Sequence, residues 1–447
     1  MSERRTVAAA VFVLILAAFL ISCSTDDDND VTPVDIPAES MSTIVLAWSD
    51  TGMQHINATY GAEVFLPPYN GLRAQVIRRG DPPEIVTTGI TLEYRLVDNT
   101  SSYGKTTADP VRDYSRFWDD SLDLFGVSLL PDTGLNFVDP GVHNGLSGTM
   151  LLKGDHFQVD GIPAVPINDA GTWDPYQVAE ITVRDASTHD VLARTRATVP
   201  VSDEWGCATC HNGDDAESVL ATHDDAEDTT FVTGGVPVLC ADCHGDPALG
   251  QTGAGSSELY LSQAVHGFHA TQTSITCYDC HPGTKTLFHR STAHTAADGN
   301  CTNCHGSMTT LTTMLYAGRI PWKEEPSCVN CHTYVAEVDT GTTLYRDAAG
   351  HGGLACPACH GSPHAQVPTT LDDTKYADHY QFLQYQNKAV ALGSCRVCHD
   401  SSKGGGINGI VGAHGGSQPT ACKVCHTGAI TTNNPYEFPH RFQNRNR

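Results

Sequence analysis

The chain has few basic residues, and that shortage argues against one class of function. Its 447 residues include 26 Lys and Arg against 51 Asp and Glu, for a formal net charge of −25. An acidic surface of this kind repels phosphate backbones, favours solubility, and suits basic, cationic or mineral-bound partners. Long apolar runs are also lacking: beyond one stretch at the N-terminus, no segment could span a bilayer. Nucleic-acid binding is therefore not expected.

Cysteine is absent from residues 41 to 203 but abundant elsewhere, and its spacing is regular. Sixteen of the seventeen cysteines form eight Cys-x-x-Cys-His motifs. This pattern is the attachment signature of c-type haem, in which two thiols bind one porphyrin and the adjacent histidine ligates its iron. The sequence therefore predicts eight covalent haem c groups. Numbered 1 to 8 along the chain, the motifs contain the cysteine pairs Cys207 and Cys210, Cys240 and Cys243, Cys277 and Cys280, Cys301 and Cys304, Cys328 and Cys331, Cys356 and Cys359, Cys395 and Cys398, and Cys422 and Cys425.

Two alternatives to haem attachment, zinc sites and a disulfide framework, do not explain the number and spacing of the motifs. Zinc sites use paired cysteines but do not require histidine at the next position each time, and a disulfide framework does not require a fixed two-residue spacing. With 22 His in 447 residues, a histidine follows a given cysteine by chance about one time in twenty. Eight coincidences in succession are negligible.

The predicted ligands on the far side of each iron are also histidines. The haem region contains only two methionines, Met308 and Met314, so ligation by two histidines, with low potentials and no open position for substrate, is the economical prediction. The predicted proximal ligands are His211, His244, His281, His305, His332, His360, His399 and His426. The predicted distal ligands are His223, His266, His289, His294, His351, His364, His414 and His440, with His269 and His379 as spares.

The N-terminus is typical of an exported lipoprotein. Arg4 and Arg5 precede an apolar run from Val7 to Ile21, which is short for a membrane span and suits a signal peptide. The run ends in Leu-Ile-Ser-Cys, which resembles a lipobox, so residues 1–22 are the predicted signal peptide and Cys23 the lipidated residue. Residues 23–40, acidic and then Pro-containing, are the predicted tether. Removing residues 1–22 leaves 24 basic and 50 acidic side chains, a net charge of −26.

The remainder divides into two predicted regions. Residues 41–203 contain short β-branched runs separated by Gly, Pro, Asp and Asn, which predict an all-β sandwich or barrel-like domain. Within residues 204–447, the eight motifs occupy the 220 residues from Cys207 to His426, about one motif per 27 residues. This is too little chain for an ordinary core, so this octahaem cytochrome c domain should have sparse short helices and loops packed around haems. The strand candidates are 43–48, 72–77, 90–97, 148–152, 178–183 and 191–199, with one helix candidate at 117–125.

The motifs and the lipobox resemble those of the multihaem outer-surface cytochromes of metal-reducing bacteria. A stretch from Cys280 to Met308, continued by Arg-Ile-Pro-Trp-Lys-Glu-Glu-Pro just before Cys328, is similar to a run in large bacterial multihaem cytochromes. The resemblance covers residues 204–447 and is thin over the β-region. It implies electron transfer across or beyond the outer membrane, with extracellular metal oxides or other redox proteins as partners and an outer-membrane lipid anchor at Cys23.

Three functions compete on the sequence alone. The first is a surface lipoprotein that conducts electrons, without a dedicated substrate site. The second is an octahaem oxidoreductase acting on nitrogen or sulfur oxyanions, which would need one open iron; the surplus of histidines argues against it. The third is a subunit of a haem filament, with which a lipid anchor and a β-region fit poorly. The β-region could instead dock a porin or another cytochrome.

Overall fold

Strands occupy most of the first half of the described chain. The computed structural model describes residues 41–400 except 206, 208–209, 212–215, 236, 273–274, 282–285, 287–300, 328–342, 365–376, 387–390 and 393. The elements of the β-region are β1 (Thr43–Ser49), β2 (Gln54–His55), β3 (Glu63–Val64), β4 (Gly71–Arg78), β5 (Glu84–Ile85), β6 (Ile90–Val97), β7 (Thr106–Ala108), β8 (Val111–Asp113), α1 (Ser115–Asp119), α2 (Ser121–Phe125), β9 (Ser147–Lys153), β10 (His156–Asp160), β11 (Tyr176–Asp185) and β12 (Val191–Ser202).

Nine of these strands join in one sheet in the described part of the chain. Its order is β1-β4-β10-β9-β6-β11-β12-β2, with β5 paired to the far end of β4. All pairs are antiparallel except that of β12 with β2. The sheet curves into a half-barrel, in which β1 and β12 approach each other without pairing. Of the two predicted β architectures, the barrel-like one is therefore closer.

All six predicted strands are present, most of them longer by one to three residues. The predicted helix 117–125 is instead two helices, α1 and α2, separated at Asp120. Gly126 ends α2 with φ 69°, the left-handed conformation that glycine adopts at low cost.

Strand β6 has one face in the core and one in solvent. Leu92, Tyr94 and Leu96 are buried, whereas Glu93 and Arg95 between them are exposed. Side chains alternate across a strand, so this sequence specifies a half-buried position. The buried set packs with the inner core around Phe117, the largest hydrophobic cluster of the β-region.

Strand β1 differs, because both of its faces are buried. Val45 and Ala47 point into the inner core. The alternate residues Ile44, Leu46 and Trp48 form a second cluster with Ala358, Tyr385 and Val397 of the haem region. A strand covered on both sides needs a continuous apolar sequence, and β1 has one. The half-barrel is therefore packed against the sixth motif and residues that follow it.

The haem region consists of short helices and single turns. This confirms the prediction of sparse short helices for its described residues. No helix in the described part of the chain is long and apolar enough to cross a membrane. Besides strand β13 (Val238–Leu239), the haem region has α3 (Ala216–Glu227), α4 (Phe231–Gly234), α5 (Leu261–His269), α6 (Cys301–His305), α7 (Met308–Tyr316), α8 (Cys356–His360), α9 (Ala377–Gln386), and 3-10 turns at Cys240–Asp242, Pro247–Leu249, Cys277–Asp279, Tyr345–Asp347, His351–Gly353 and Cys395–Val397.

Helix α9 closes the seam between β1 and β12. The Tyr385 hydroxyl donates to Val45 O at 2.8 Å and accepts from Val45 N at 3.2 Å, and Ala47 N donates to Gln381 Oε1 at 3.1 Å. On the other side, Gln384 Nε2 donates to the carbonyl of Arg194 at 2.9 Å. A strand edge with unpaired backbone groups is a site for unwanted pairing, and these side chains satisfy β1 instead.

Candidate haem-binding sites

Each described motif is a single helical turn that holds its cysteines and histidine together. In motifs 1 to 3 the histidine N–H donates to the carbonyl of the first cysteine, at 2.9 Å from His211, 3.0 Å from His244 and 2.8 Å from His281. Motifs 4 and 6 are the short helices α6 and α8, and motif 7 begins in a 3-10 turn. Residues three and four apart in a turn share one face. In motifs 1 to 4 and 6 each turn therefore directs two thiols and an imidazole to the same side.

The thiols do not have the properties of reactive or metal-binding thiolates. The cysteines of motifs 1 to 4 are not in disulfides. Burial raises the pKa of Cys207 to about 11 and that of Cys240 to about 12. Thiolate ligands and nucleophiles require a lowered pKa, so these two residues are neutral thiols and not thiolate ligands of a metal ion.

Histidine rings lie opposite each other in pairs. Two imidazoles that bind one metal ion from opposite sides, through bonds of about 2 Å, have ring centres roughly 6 Å apart. In each pair one ring belongs to a motif and the other to a separate segment. The pairs are His211 with His269 at 6.3 Å, His244 with His223 at 6.2 Å, His281 with His266 at 6.1 Å, and His305 with His364 at 6.2 Å between centroids.

The four pairs fall into two classes of ring orientation. The planes are 19° apart in the pair of His281 and 13° apart in the pair of His305. They are 79° apart in the pair of His211 and 73° apart in the pair of His244. The spacing fits a bound iron in all four cases, and the orientation distinguishes motifs 3 and 4 from motifs 1 and 2.

Hydrogen bonds at Nδ1 leave Nε2 of the paired rings available. His266 Nδ1 donates to Ser262 O at 2.7 Å and His269 Nδ1 to Val265 O at 2.8 Å. A carbonyl only accepts, so Nδ1 carries the proton and Nε2 carries the lone pair. His244 Nδ1 lies 2.8 Å from Ser257 Oγ. Such contacts fix the orientation of a ligating ring.

Burial keeps several of these rings neutral. It lowers the pKa of His281 to about 4, and it also lowers the pKa of His244, His266 and His305, with Arg319 adding to the effect at His305. Neutral imidazole is the form that ligates a metal. The residues of motifs 1 to 4 therefore fit haem in spacing, tautomer and charge.

One helix supplies the second ring to two pairs. His266 and His269 are three residues apart on α5, and they face His281 of motif 3 and His211 of motif 1, respectively. The sequence predicts His266 as a distal ligand and His269 only as a spare. The His-x-x-His spacing within an amphipathic segment was the signal that could have placed it on the same face as His266.

The β-region contributes side chains to the surroundings of motifs 1 to 3. His55 of β2 is buried, with its ring 5.4 Å from that of His281 and 5.3 Å from that of Trp205. Glu63 of β3 lies close enough to raise the pKa of both Cys207 and Cys240. Burial raises the pKa of Glu63 itself to about 7, and its Oε2 has no hydrogen-bond partner among the described residues.

A buried carboxylate fixes the chain just before motif 1. Asp203 follows β12 and accepts hydrogen bonds from Arg112, from the Tyr114 hydroxyl at 2.6 Å and from Trp173 Nε1 at 2.9 Å. Buried charge is stable only when it is paired and hydrogen-bonded in this way. Motif 1 therefore begins four residues beyond a rigid junction.

Motif 7 contacts the turn between β4 and β5. His399 Nδ1 lies 3.4 Å from Asp81 Oδ1, and the Asp81 side chain is 1% exposed. Motif 6 lies under β1, because Ala358 of α8 packs in the second cluster. No sequence signal marked Asp81, since its proximity to His399 depends on the tertiary fold.

Several predicted site residues lie outside the described residues or are described only in their backbone. For His351, His379 and Cys395 the structure gives the backbone alone, in a 3-10 turn, in α9 and in a 3-10 turn, respectively. Those outside the described residues are Cys23, His289, His294, Cys328, Cys331, His332, His414, Cys422, Cys425, His426 and His440.

One segment of the chain matches a known protein family. Residues 310–361 match the family model described as cytochrome c554 and c-prime. The matched segment runs from α7 through motif 6, a small part of the chain. No curated protein matches the chain. The family match supports a c-type cytochrome that carries electrons on covalent haem.

Proposed function

We propose that this c-type cytochrome carries eight haems and transfers electrons through a series of closely packed sites, each ligated by two histidines. The observation that carries the proposal is the set of four opposed histidine pairs, each with one ring from a motif and ring centres 6.1–6.3 Å apart. Motifs 5 to 8 share the sequence pattern of the first four. Haem, when bound, supplies a one-electron iron couple at each motif.

The chain's own residues favour electron transfer over bond chemistry. Two cysteines would hold each porphyrin and two histidines would ligate each iron, which would leave no position for a substrate. Nδ1 contacts such as that of His266 to Ser262 O keep the ring oriented. Bis-histidine ligation also gives low potentials, which suit delivery of respiratory electrons to an external acceptor.

Contacts between motifs support an order for the first four sites. Glu63 lies beside both Cys240 of motif 2 and Cys207 of motif 1. Helix α5 carries the ligands that face motifs 1 and 3. The Cys301 thiol of motif 4 is hydrogen-bonded to Cys277 of motif 3. The proposed electron path through this part of the protein therefore runs 2–1–3–4 or the reverse.

The proposed location is the outer membrane, where a lipid on Cys23 would anchor the protein facing the cell surface. The lipobox supports the anchor, and the acidic residues after it support an exposed tether. The proposed partners are extracellular metal oxides or other redox proteins. Replacing Cys23 with Ala should release the cytochrome from the membrane fraction, and protease treatment of intact cells should remove the wild-type protein only if it faces outward.

The deciding experiment is electron paramagnetic resonance of the purified oxidised protein, with haem counted by pyridine haemochrome. Eight low-spin haems would support the proposal. The signals should fall into two kinds, because nearly parallel imidazole planes split the iron π orbitals and nearly perpendicular planes leave them close in energy. A high-spin fraction of one iron in eight would overturn full bis-histidine ligation and favour the oxyanion oxidoreductase.

A distal-ligand variant tests the pairing itself. His269→Asn should convert one low-spin haem to high spin, and the lost signal should be of the perpendicular kind, since His269 faces His211 at 79°. His189→Asn is the matched control, because His189 is a β-region histidine in a turn with φ 63°, which Asn tolerates. An unchanged spectrum for His269→Asn would refute this pair.

A further inference from the structure

The turn after β4 is docked on motif 7 by backbone bonds. Gly80 N donates to Cys398 O at 3.4 Å, and Asp400 N donates to Gly80 O at 2.9 Å. The preceding residue adds a side-chain bond, in which Arg79 Nη2 donates to Arg396 O at 2.9 Å. The turn and the motif thus run side by side, with Gly80 opposite His399 in a parallel bridge.

This docking places a carboxylate against the proximal histidine of motif 7. Asp81 follows Gly80, and its Oδ1 lies 3.4 Å from His399 Nδ1. The Asp81 side chain is 1% exposed and that of His399 is 19% exposed, so water screens the contact weakly. At this distance the hydrogen bond is long, but the negative charge acts on the ring in any case.

Other ligand histidines have neutral partners at the same atom. Nδ1 of His266 and His269 contacts backbone carbonyls. Nδ1 of His211, His223 and His244 contacts the hydroxyls of threonine or serine. Among these histidines and His399, the carboxylate contact belongs to His399.

We propose that Asp81 is a positioning residue that makes His399 a stronger electron donor to its iron than the histidines with neutral partners. The inference rests on haem attachment at motif 7, as proposed above. A carboxylate that accepts from the second nitrogen of a ligating histidine fixes the ring and raises its basicity. A more basic ligand and a nearby negative charge both stabilise the oxidised iron, so the potential of site 7 is displaced to more negative values.

The β-region therefore has a role at the haems beyond docking a partner. Asp81 belongs to the half-barrel, and its position relative to motif 7 is set by the extension of β4 and by the Gly80 and Arg79 contacts. The sheet thus sets the driving force at one haem of the series.

The test uses the full-length haem-loaded protein and the variant Asp81→Asn, which keeps the shape of the side chain and removes its charge. A spectroelectrochemical titration at neutral pH should show one-eighth of the haem absorbance shifted to a more positive potential. Electron paramagnetic resonance should show one altered low-spin component. Asp81→Glu should stay close to the wild-type titration, which a purely structural role of the turn would not predict.

A matched control is available in the same sheet. Asp155 lies 3.0 Å from His156 Nδ1, an Asp–His pair away from any motif. Asp155→Asn should change neither readout. A shift of the whole titration curve in both variants would overturn the proposal in favour of a general effect of protein charge.

The outcomes separate this inference from the proposed function. Eight low-spin haems with an unchanged titration in Asp81→Asn would overturn the role of Asp81 and leave the proposed function standing. A wild-type protein with fewer haems or a high-spin iron would contradict the proposed function itself. Should Asp81→Asn fail to accumulate with eight haems, Asp81→Ser decides by the same shift or its absence.

Discussion

The two regions of the molecule differ in the groups that converge at their centres. In the half-barrel, aromatic and aliphatic side chains such as Tyr114, Phe117 and Trp118 form a continuous inner core. In the described haem region, the convergent groups are the histidine pairs and the neutral thiols of single-turn motifs. The core of the first region consists mainly of its own residues, joined by Leu239, Ala241 and Leu249 of the second. The second region has residues arranged to receive a cofactor. The difference indicates which part depends on haem to fold.

Withholding haem should separate the two regions most clearly. Chain produced without covalent haem attachment should keep the far-ultraviolet circular dichroism of the sheet, because the inner core needs no cofactor. Residues 204–447 should become sensitive to protease, since cofactor binding there is coupled to folding. Limited proteolysis with mass spectrometry checks this against the haem-loaded protein. Equal protease resistance of both regions without haem would contradict it.

The second-largest effect is expected at the face that joins the regions. Trp48→Ala removes a buried side chain from the cluster that β1 shares with Ala358 and Val397, at a cost of about 3–5 kcal/mol. Thermal unfolding should begin earlier, and proteolysis within residues 345–400 should increase. Leu92→Ala, in the inner core, is the control: it should lower stability without exposing residues 345–400 selectively.

Glu63 should make stability depend on pH. Burial raises its pKa from 4.5 to about 7, so the folded protein favours the neutral acid. The contribution of neutral Glu63 to the free energy of unfolding is fully present below about pH 4.5. It is lost as the pH rises through 7, by at most about 3 kcal/mol at roughly 1.4 kcal/mol per pKa unit. Glu63→Gln should abolish this loss in thermal unfolding at pH 5 and pH 8.

The control for Glu63 is an exposed acid elsewhere in the β-region. Glu84 pairs with Arg78 at 2.8 Å on the surface, where an ion pair contributes little. Glu84→Gln should leave the pH dependence as in the wild type. If both variants behave alike, burial of Glu63 is not the cause.

The smallest effect is expected at the seam. Tyr385→Phe removes the hydroxyl that bonds both backbone groups of Val45, leaving them buried and unpaired at a cost of about 2 kcal/mol. The thermal midpoint should fall modestly, and hydrogen exchange at Val45 should accelerate. Tyr103→Phe, at an exposed hydroxyl bonded to Asp119, is the comparison variant and should change neither.

The sequence predicted much of the half-barrel, because its strands carry local patterns. The alternation in Ile90–Val97 and the apolar run in Thr43–Trp48 both mark strands. The run alone did not reveal that the outer face of β1 is covered by Ala358 and Tyr385, residues more than 300 positions away. A strand that is covered by a distant segment has the same local apolar pattern as a strand that is covered by a nearby one.

The candidate site was also predictable from the sequence only in part. The motifs were readable because both thiols and the proximal histidine lie within five residues. The second ring of each pair comes from another segment, so its place depends on the fold. The sequence predicts His266, His364 and His223 as distal ligands and His269 as a spare. Asp81 carried no signal, since a single aspartate in a turn is ordinary until His399 is placed beside it.

Helix α5 has a consequence for how such a protein can change. His266 and His269 are held at a fixed offset by one turn of backbone hydrogen bonds, a rise of roughly 4.5 Å. The offset between these two proposed ligands is therefore set by helix geometry and does not depend on the loops that join the motifs. The loops between motifs can therefore change in length during evolution while the spacing of His266 and His269 stays the same.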